Sequence, residues 1–364
     1  MKHTLHISLF TAVILSSCQT THRHKELEPH REVVECNTLN PKPLDLLYTH
    51  NLNDQHHYVK AASGLVAIQD KIYVIQDSSR YLAEVDSLFS KPIDFHPLAS
   101  LDLINTLEDP HKSYEDFRRA RKSDYEGTTL LPNGKILVLG SGYDAQNIDK
   151  HLPNYKNIGI VFDPKTNNYE TLNLEPFYDH LLKRKDIVGT SHDGHKPRLN
   201  IEGVTIIDHE RIAFFHRANF NKNSHDSITI YPLAQWFAEV AKPKWELPEL
   251  EVMTVHMGYA LHKGEKYPIT LNDGVYKNGD FYIPVASEAD GIVDGKEVDG
   301  EVFWTGIVKL NLKSKSCETY HFNDQNLPKM EGLTINPHHP DQFYAVHDVD
   351  DEYQVSLFSA LEIK

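Results

Sequence analysis

The sequence predicts an all-β fold, a β-propeller of five four-stranded blades, on three observations. A glycine-led pair of strands recurs along the chain, a second strand-rich stretch follows each pair, and no long helix separates successive strands. Aligned on Gly64, Gly127, Gly203, Gly274 and Gly332, the recurring stretches are "SGLVAIQDKIYVIQDSS", "EGTTLLPNGKILVLGSG", "EGVTIIDHERIAFFHRA", "DGVYKNGDFYIPVASEA" and "EGLTINPHHPDQFYAVHDVD". Each runs from a glycine through a short apolar strand, a turn and a second apolar strand to a switch into polar residues. The switch falls at Asp77, Gly140, His216, Ser287 and His347.

The second hairpin of each unit comes from "YLAEVD", "IGIVFDPKTNNYETLNL", "SITIYPL", "FWTGIVKLNLKSKSCETYHF" and "YQVSLFSALEI", which are rich in β-branched and aromatic residues. The aligned glycines lie 58 to 76 residues apart. That is longer than the ~40 to 50 residues of compact propeller repeats, and the excess sits in three insertions. These are "FHPLASLDLINTLEDPHKSYEDFRRARKS", "EPFYDHLLKRKD" and "LAQWFAEVAKPKWELPE", whose apolar spacing suits short helices on the rim. The basic run Phe117 to Lys122 reads as a solvated helix face. The fifth unit ends after three strands, and "PLDLLYTHNL", Pro43 to Leu52, supplies its outer strand and closes the ring. A sixth blade is the alternative, if a degenerate unit lies in the first insertion.

The chain has 364 residues, with 37 Lys and Arg against 52 Asp and Glu, a net charge of -15. That balance argues against binding nucleic acid, which needs a basic surface. It suits cations, neutral ligands or a basic partner. The first residues, "MKHTLHISLFTAVILSSC", hold one lysine and a short apolar run, too short for the ~20 residues of a membrane span. They read as an export signal. The ending "LSSC" resembles the lipobox of bacterial lipoproteins, which implies cleavage after residue 17 and acylation, palmitate included, of Cys18. Gln19 after it implies the outer membrane in a Gram-negative host. The organisation is thus a signal peptide over 1–17, a polar tether over 18–41 and a propeller over 42–364. Cys36 and Cys317 remain, and in an exported chain they form either a disulfide or two free thiols. With no Cys-x-x-Cys, a structural thiolate zinc site is excluded.

In a propeller the first strand of each blade lines the central channel. Glu126, Glu202, Asp273 and Glu331 would point at its mouth, with Ser63 in place of the acid in the first unit. The glycine after each acid is expected to let the backbone turn tightly near the axis. Converging carboxylates repel one another, so some hold protons or a cation sits among them. Ca²⁺ or another hard divalent cation suits oxygen-only ligands. The alternative is that each acid accepts backbone N–H bonds from the neighbouring blade.

The "EG" pairs and the ending "EGLTINPHHPDQFYAVHD" resemble the propeller group of gluconolactonase-type and strictosidine-synthase-like proteins and the phytase-like or esterase-like domains of exported bacterial proteins. In the gluconolactonase type such an acid ligates a central metal, which by likeness implies the same for Glu126, Glu202 or Glu331. The loops after the second strands add Arg80, Tyr143, Asn219 and Glu288 as ligand-binding candidates, and His216, Arg217, His347 and Asp348 as candidates for chemistry. Three readings stand. The face binds a small ligand, a cation or an envelope protein, or it is the site of a metal-dependent lactonase, esterase or phosphoesterase, or the protein is structural. In the hydrolase reading a histidine carries the proton and an arginine clamps the oxyanion.

Overall fold

The computed structural model describes residues 30–36, 41–52, 59, 61–77, 79–86, 92–99, 124–142, 155–190, 197–217, 225–288, 291–293, 296–298, 301–322, 328–348 and 356–363. Two strands come first, β1 (His30–Glu35) and β2 (Lys42–Asn51). Sheet I is β3 (Ala62–Ile68), β4 (Lys71–Gln76), β5 (Tyr81–Asp86) and β6 (Pro92–Pro97), paired in that order. Sheet II is β7 (Tyr125–Leu130), β8 (Ile136–Gly140), β9 (Ile158–Asp163) and β10 (Asn168–Asn173), followed by helix α1 (Glu175–Leu181) and a ribbon of β11 (Gly189–Thr190) and β12 (Pro197–Arg198).

Sheet III is β13 (Ile201–Ile207), β14 (Arg211–His216), β15 (Asp226–Pro232) and β16 (Glu251–His256), with helix α2 (Leu233–Val240) between its last two strands. A hairpin of β17 (Tyr259–His262) and β18 (Glu265–Pro268) leads into sheet IV. That sheet is β19 (Thr270–Leu271), β20 (Val275–Lys277), β21 (Asp280–Glu288), β24 (Val302–Asn311) and β25 (Cys317–Phe322), with the small hairpin β22 (Gly291–Val293) and β23 (Lys296–Val298) inserted. Sheet V is β26 (Lys329–Ile335), β27 (Gln342–Asp348) and β28 (Leu357–Glu362). Its fourth strand is β2, antiparallel to β28 from Asp45 opposite Glu362 to Asn51 opposite Leu357.

The second strand of each unit is apolar on both faces because it is covered on both. Ile136–Gly140 is buried throughout, as is Ile72–Gln76. Each apolar cluster lies between two consecutive sheets: I against II, II against III, III against IV, IV against V, and V against I. This radial arrangement is a β-propeller. The two helices add to the core between sheets II and III, where Phe177 of α1 packs on Trp245 with ring centroids 4.6 Å apart and on Trp236 at 5.8 Å.

The inner strand of sheets I, II, III and V carries the same irregularity at the same place. Pairing with the second strand skips one residue between Ala62 and Gly64, Tyr125 and Gly127, Ile201 and Gly203, and Met330 and Gly332. In sheet IV, Leu271 faces Val285 and Val275 faces Tyr282, which again leaves one extra residue on the inner side. These are β-bulges, and the extra residue is Ser63, Glu126, Glu202, Glu331 or, within the sheet IV irregularity, Asp273. A bulge re-aims a side chain.

The glycine that follows serves space and not conformation, for none of the five aligned glycines has a positive φ. A Cβ on Gly332 would sit 2.6 Å from Gly64 Cα, and one on Gly203 would sit 2.7 Å from Asp273 Cα. Neighbouring inner strands therefore touch backbone to backbone.

Two further sequence expectations are corrected, and one that was left open is resolved. Within the stretch read as a tether, His30–Glu35 forms β1, parallel to β16, with Val34 1% exposed in the core between sheets III and IV. The first three residues of the first insertion, Phe95–Pro97, end the outer strand of sheet I, Pro92–Pro97. Its terminal prolines, tolerated at an edge, hide the strand pattern. Cys36 and Cys317 form a disulfide, with S–S 2.09 Å. Residues 100–123 of the first insertion, including the basic run, lie outside the described residues. No helix among the described residues is long and apolar enough to cross a membrane.

Candidate functional site

The bulges deliver their acids into two groups of different character. In the first group, Glu202 and Glu331 are 5% and 8% exposed. Arg217, the residue after the end of β14, reaches Glu202 Oε1 at 3.6 Å and Glu288 Oε1 at 3.0 Å. Lys329, two residues before Glu331, places its ammonium 2.8 Å from both Glu288 Oε1 and Glu331 Oε1. The Asn200 amide donates to Glu202. The result is a buried chain, Glu202–Arg217–Glu288–Lys329–Glu331, drawn from sheets III, IV and V.

Burial is the largest influence on these acids. It pushes the Glu331 carboxyl up to about 8, with Glu202 adding repulsion, although Lys329 and Arg217 pull the other way. Glu202 is raised for the same first reason, against Arg217 and Lys329. Burial and Arg217 press the Lys329 ammonium down, but Glu288, Glu331 and Glu202 outweigh them and it stays charged. The Glu331 carboxyl therefore retains a proton near neutral pH.

Asp273 behaves differently. Its Oδ2 accepts the Leu333 N–H from sheet V at 3.1 Å, and the neighbouring Asn272 amide donates to Met330 O at 2.7 Å. Burial raises its carboxyl well above the usual range, although the Gly274 and Leu333 amides oppose the shift. Asp273 is a neutral tie between sheets.

The second group surrounds Glu126. Among the described residues, Asp77, Asp124 and Glu126 form a group whose carboxylate oxygens lie within 4.8 Å of one another. At that separation a pair of unit charges repels by about 3 kcal/mol at an effective dielectric of ~20. Lys156 Nζ stands 3.0 Å from Asp124 Oδ2, and the Ser141 hydroxyl donates to Asp124.

The backbone that holds this group is itself continuous around the mouth. Asp77 N bonds Ala61 O, Asp124 N bonds Asp77 O, Ser141 N bonds Asp124 O and Ile201 N bonds Ser141 O, each at 2.9 Å. Asp124 takes a left-handed φ of 54° at the joint. Short polar residues tolerate that region best.

The two candidate histidines lie inside their sheets. His216 Nε2 meets Thr229 Oγ1 at 2.8 Å, and His347 Nε2 meets Ser359 Oγ at 2.7 Å, each joining a second strand to a third. Burial lowers their pKa to about 3 and about 4. Both rings are neutral in-sheet ties, and Gln76 does the same work in sheet I by donating to Tyr81 O at 3.1 Å. Arg80 is 1% exposed, and Asp348 pairs in register with Lys329 at the end of β27. Cys18, Tyr143 and Asn219 lie outside the described residues.

Asp77, Asp124, Lys156, Asn200 and Lys329 are the mouth residues that pattern reading passed over. A signal was present: the position two before each acid holds Asp124, Asn200 and Lys329 in three of the units.

A family model described as "Family of unknown function (DUF6929)" matches residues 58–363. No curated protein matches the chain. Among solved structures, it is similar to the glutaminyl cyclase of Myxococcus xanthus, at 8% identity and a TM-score of 0.45, covering 93% of this chain and 100% of that one. It is also similar to the PQQ-bound aldose sugar dehydrogenase of Streptomyces coelicolor, at 12% identity and 0.41, covering 88% and 98%. A third is virginiamycin B lyase of Staphylococcus aureus, at 9% and 0.38, covering 88% and 100%.

Proposed function

The chain belongs to the DUF6929 family of unknown function, and we propose that it is a five-bladed propeller lipoprotein whose channel mouth binds a hard divalent cation. Closure of the apolar interfaces from sheet V back to sheet I supports the blade count. The "LSSC" sequence supports an anchor through acylated Cys18, at the outer membrane of a Gram-negative host.

One observation carries the cation reading: the convergence of Asp77, Asp124 and Glu126 within 4.8 Å, with the Lys156 ammonium on Asp124. Carboxylates this close repel one another, and an oxygen-seeking ion such as Ca²⁺ held among them would relieve that repulsion. Glu202 and Glu331 lie instead in the buried chain of ion pairs with Arg217 and Lys329. The cation site thus contracts from a ring of four acids to Glu126 and its two neighbours. The seated cation and the acidic mouth around it would then hold a small ligand or an envelope protein.

The test is calorimetric titration of the soluble domain, residues 19–364, with Ca²⁺, Mg²⁺ and Mn²⁺. Binding lost in Glu126→Gln supports the reading, and silence with all three ions refutes it.

A hydrolase reading draws on a separate observation, the Glu331 carboxyl at about 8. Such a group exchanges protons at neutral pH, which the buried histidines do not. Chelator-sensitive hydrolysis of simple lactones, esters or phosphoesters, abolished in Glu331→Gln, would establish it. Turnover unaffected by chelator would exclude its metal-dependent form.

A further inference from the structure

We propose that β1 and β2 form a strap across three consecutive sheets, clasped by the Cys36–Cys317 disulfide, and that reduction of this bond releases the strap while the inner strands stay folded. The inference is independent of the cation reading and concerns the opposite, outer end of the sheets.

The strap has three points of attachment to one short segment of sheet IV. Lys315 Nζ lies 3.0 Å from Glu32 Oε2 of β1 and also contacts Glu251 of β16. Cys317 is bonded to Cys36, 281 residues away in sequence. Glu318 Oε1 accepts from Lys42 Nζ of β2 at 3.0 Å. Residues 315–318 therefore hold β1, the cysteine after it and the first residue of β2. The backbone repeats the pattern, because β1 lies parallel on β16 of sheet III. The first three residues of β2 then lie parallel on β25 of sheet IV, and the remainder lies antiparallel on β28 of sheet V.

The apolar hold on β1 is thin. Val33 is 65% exposed while Val34 is buried, so β1 offers the core one valine face. The Lys42–Glu318 pair has side chains 52% and 45% exposed, a class of ion pair that contributes little. The covalent bond adds a restraint to the backbone ladders, and its effect on the unfolded chain grows with the length of the closed loop. Beneath the strap lie the outer edges of β16 and β28, rows of N–H and C=O groups that reduction would leave without a partner strand.

The chemistry is closed with any dithiol reductant. Cys36 is 7% exposed and Cys317 is partly exposed, so a thiolate reaches the Cys317 sulfur. Attack there forms a mixed disulfide and expels Cys36 as a thiolate. The second thiol of the reductant then displaces Cys317 and closes its own disulfide. Two electrons and two protons pass to the protein.

The test is hydrogen exchange on the intact soluble domain before and after dithiothreitol. Reduction should speed exchange of the amides of β1, β2 and β28 by ~10-fold or more, a local opening, while β13 and β26 keep their protection. The melting temperature should fall by roughly 5 °C. The double variant Cys36→Ser with Cys317→Ser should match reduced wild type. If that variant does not fold, reductant on folded wild type still decides the matter. Two free thiols in the untreated protein, unchanged exchange in β1 and β2, or simultaneous loss of protection in every sheet would each overturn the proposal.

Discussion

Gly332→Ala tests the geometry at the axis most sharply, because the clash it creates is with backbone. The new Cβ would sit 2.6 Å from Gly64 Cα, 3.0 Å from Val346 Cγ2 and 3.1 Å from Leu65 Cδ2. The valine and leucine methyls can rotate away, but Gly64 Cα belongs to β3, whose shift drags sheet I against sheet II. Overpacking of this kind costs about 1–3 kcal/mol. Alanine returns about 0.4–1 kcal/mol by restricting the unfolded chain, which leaves a net loss of about 1–2 kcal/mol. Gly64→Ala is the matched control. Its Cβ meets Thr128 Cγ2 at 3.0 Å and Ile75 Cδ1 at 3.2 Å, both tips of side chains. Its cost should be within about 0.5 kcal/mol of zero. Urea unfolding of the two variants reads the difference, and each kcal/mol moves the melting temperature by roughly 2–4 °C. A Gly332→Ala protein as stable as wild type, or a Gly64→Ala protein that loses more, would refute the close approach of inner strands.

Three further outcomes are expected. Glu249 accepts from Arg184 Nη1 at 2.6 Å and Tyr231 Oη at 3.0 Å, with His180 Nε2 at 3.0 Å. Burial pushes its carboxyl up, yet His180, a backbone N–H and Arg184 hold it down to about 2. A depressed folded pKa stabilises above the ordinary carboxylate value and loses that contribution as pH falls from about 4.5 towards 2, on the order of 3 kcal/mol in total. The stability gap between wild type and Glu249→Gln should therefore shrink between pH 6 and pH 3 in urea titrations, and a constant gap contradicts this. Lys329→Met strands Glu288 and Glu331 without their ammonium, a loss of about 3–5 kcal/mol at pH 8. Protonation of Glu331 should reduce that loss at pH 5, and a pH-independent loss would show that the chain of charges is not coupled. Cys18→Ala should abolish palmitate labelling and membrane association together, whereas unchanged fractionation would remove the anchor.

The repeat made most of the architecture legible. Strand pairs two apolar runs long, joined by turns, announce themselves in "KIYVIQ" and "KILVLG", and the Asn278–Gly279 turn has both φ values positive, as a two-residue hairpin loop requires. Pairing of Lys42–Asn51 with the last strand follows from a unit left one strand short. What pattern reading misses is set by long-range pairing. β1 is a strand because β16 offers it an edge, and its own six residues, "HREVVE", carry only two valines.

The candidate site was legible in outline. The acid–glycine pairs mark the mouth, but a bulge is a property of two strands, and one strand's sequence does not show which residue is extra. The glycines looked like sites of backbone freedom and are sites of contact. The switch residues His216 and His347 looked like loop chemistry and are held within the sheets by Thr229 and Ser359. Division of the acids into an ion-paired chain, a neutral tie and a carboxylate cluster depends on Glu288 and Asp77, which arrive from neighbouring units of the repeat. No spacing rule encodes that.

The most direct test is a Ca²⁺ titration of the soluble domain beside three variants: Asp124→Asn, Glu126→Gln and Glu331→Gln. The account predicts one ion per chain, with an affinity on the order of 10⁻⁴ to 10⁻³ M, typical of extracellular oxygen sites. Binding should be lost in the first two variants and kept in the third. Binding that survives Glu126→Gln, or is abolished by Glu331→Gln alone, would contradict it.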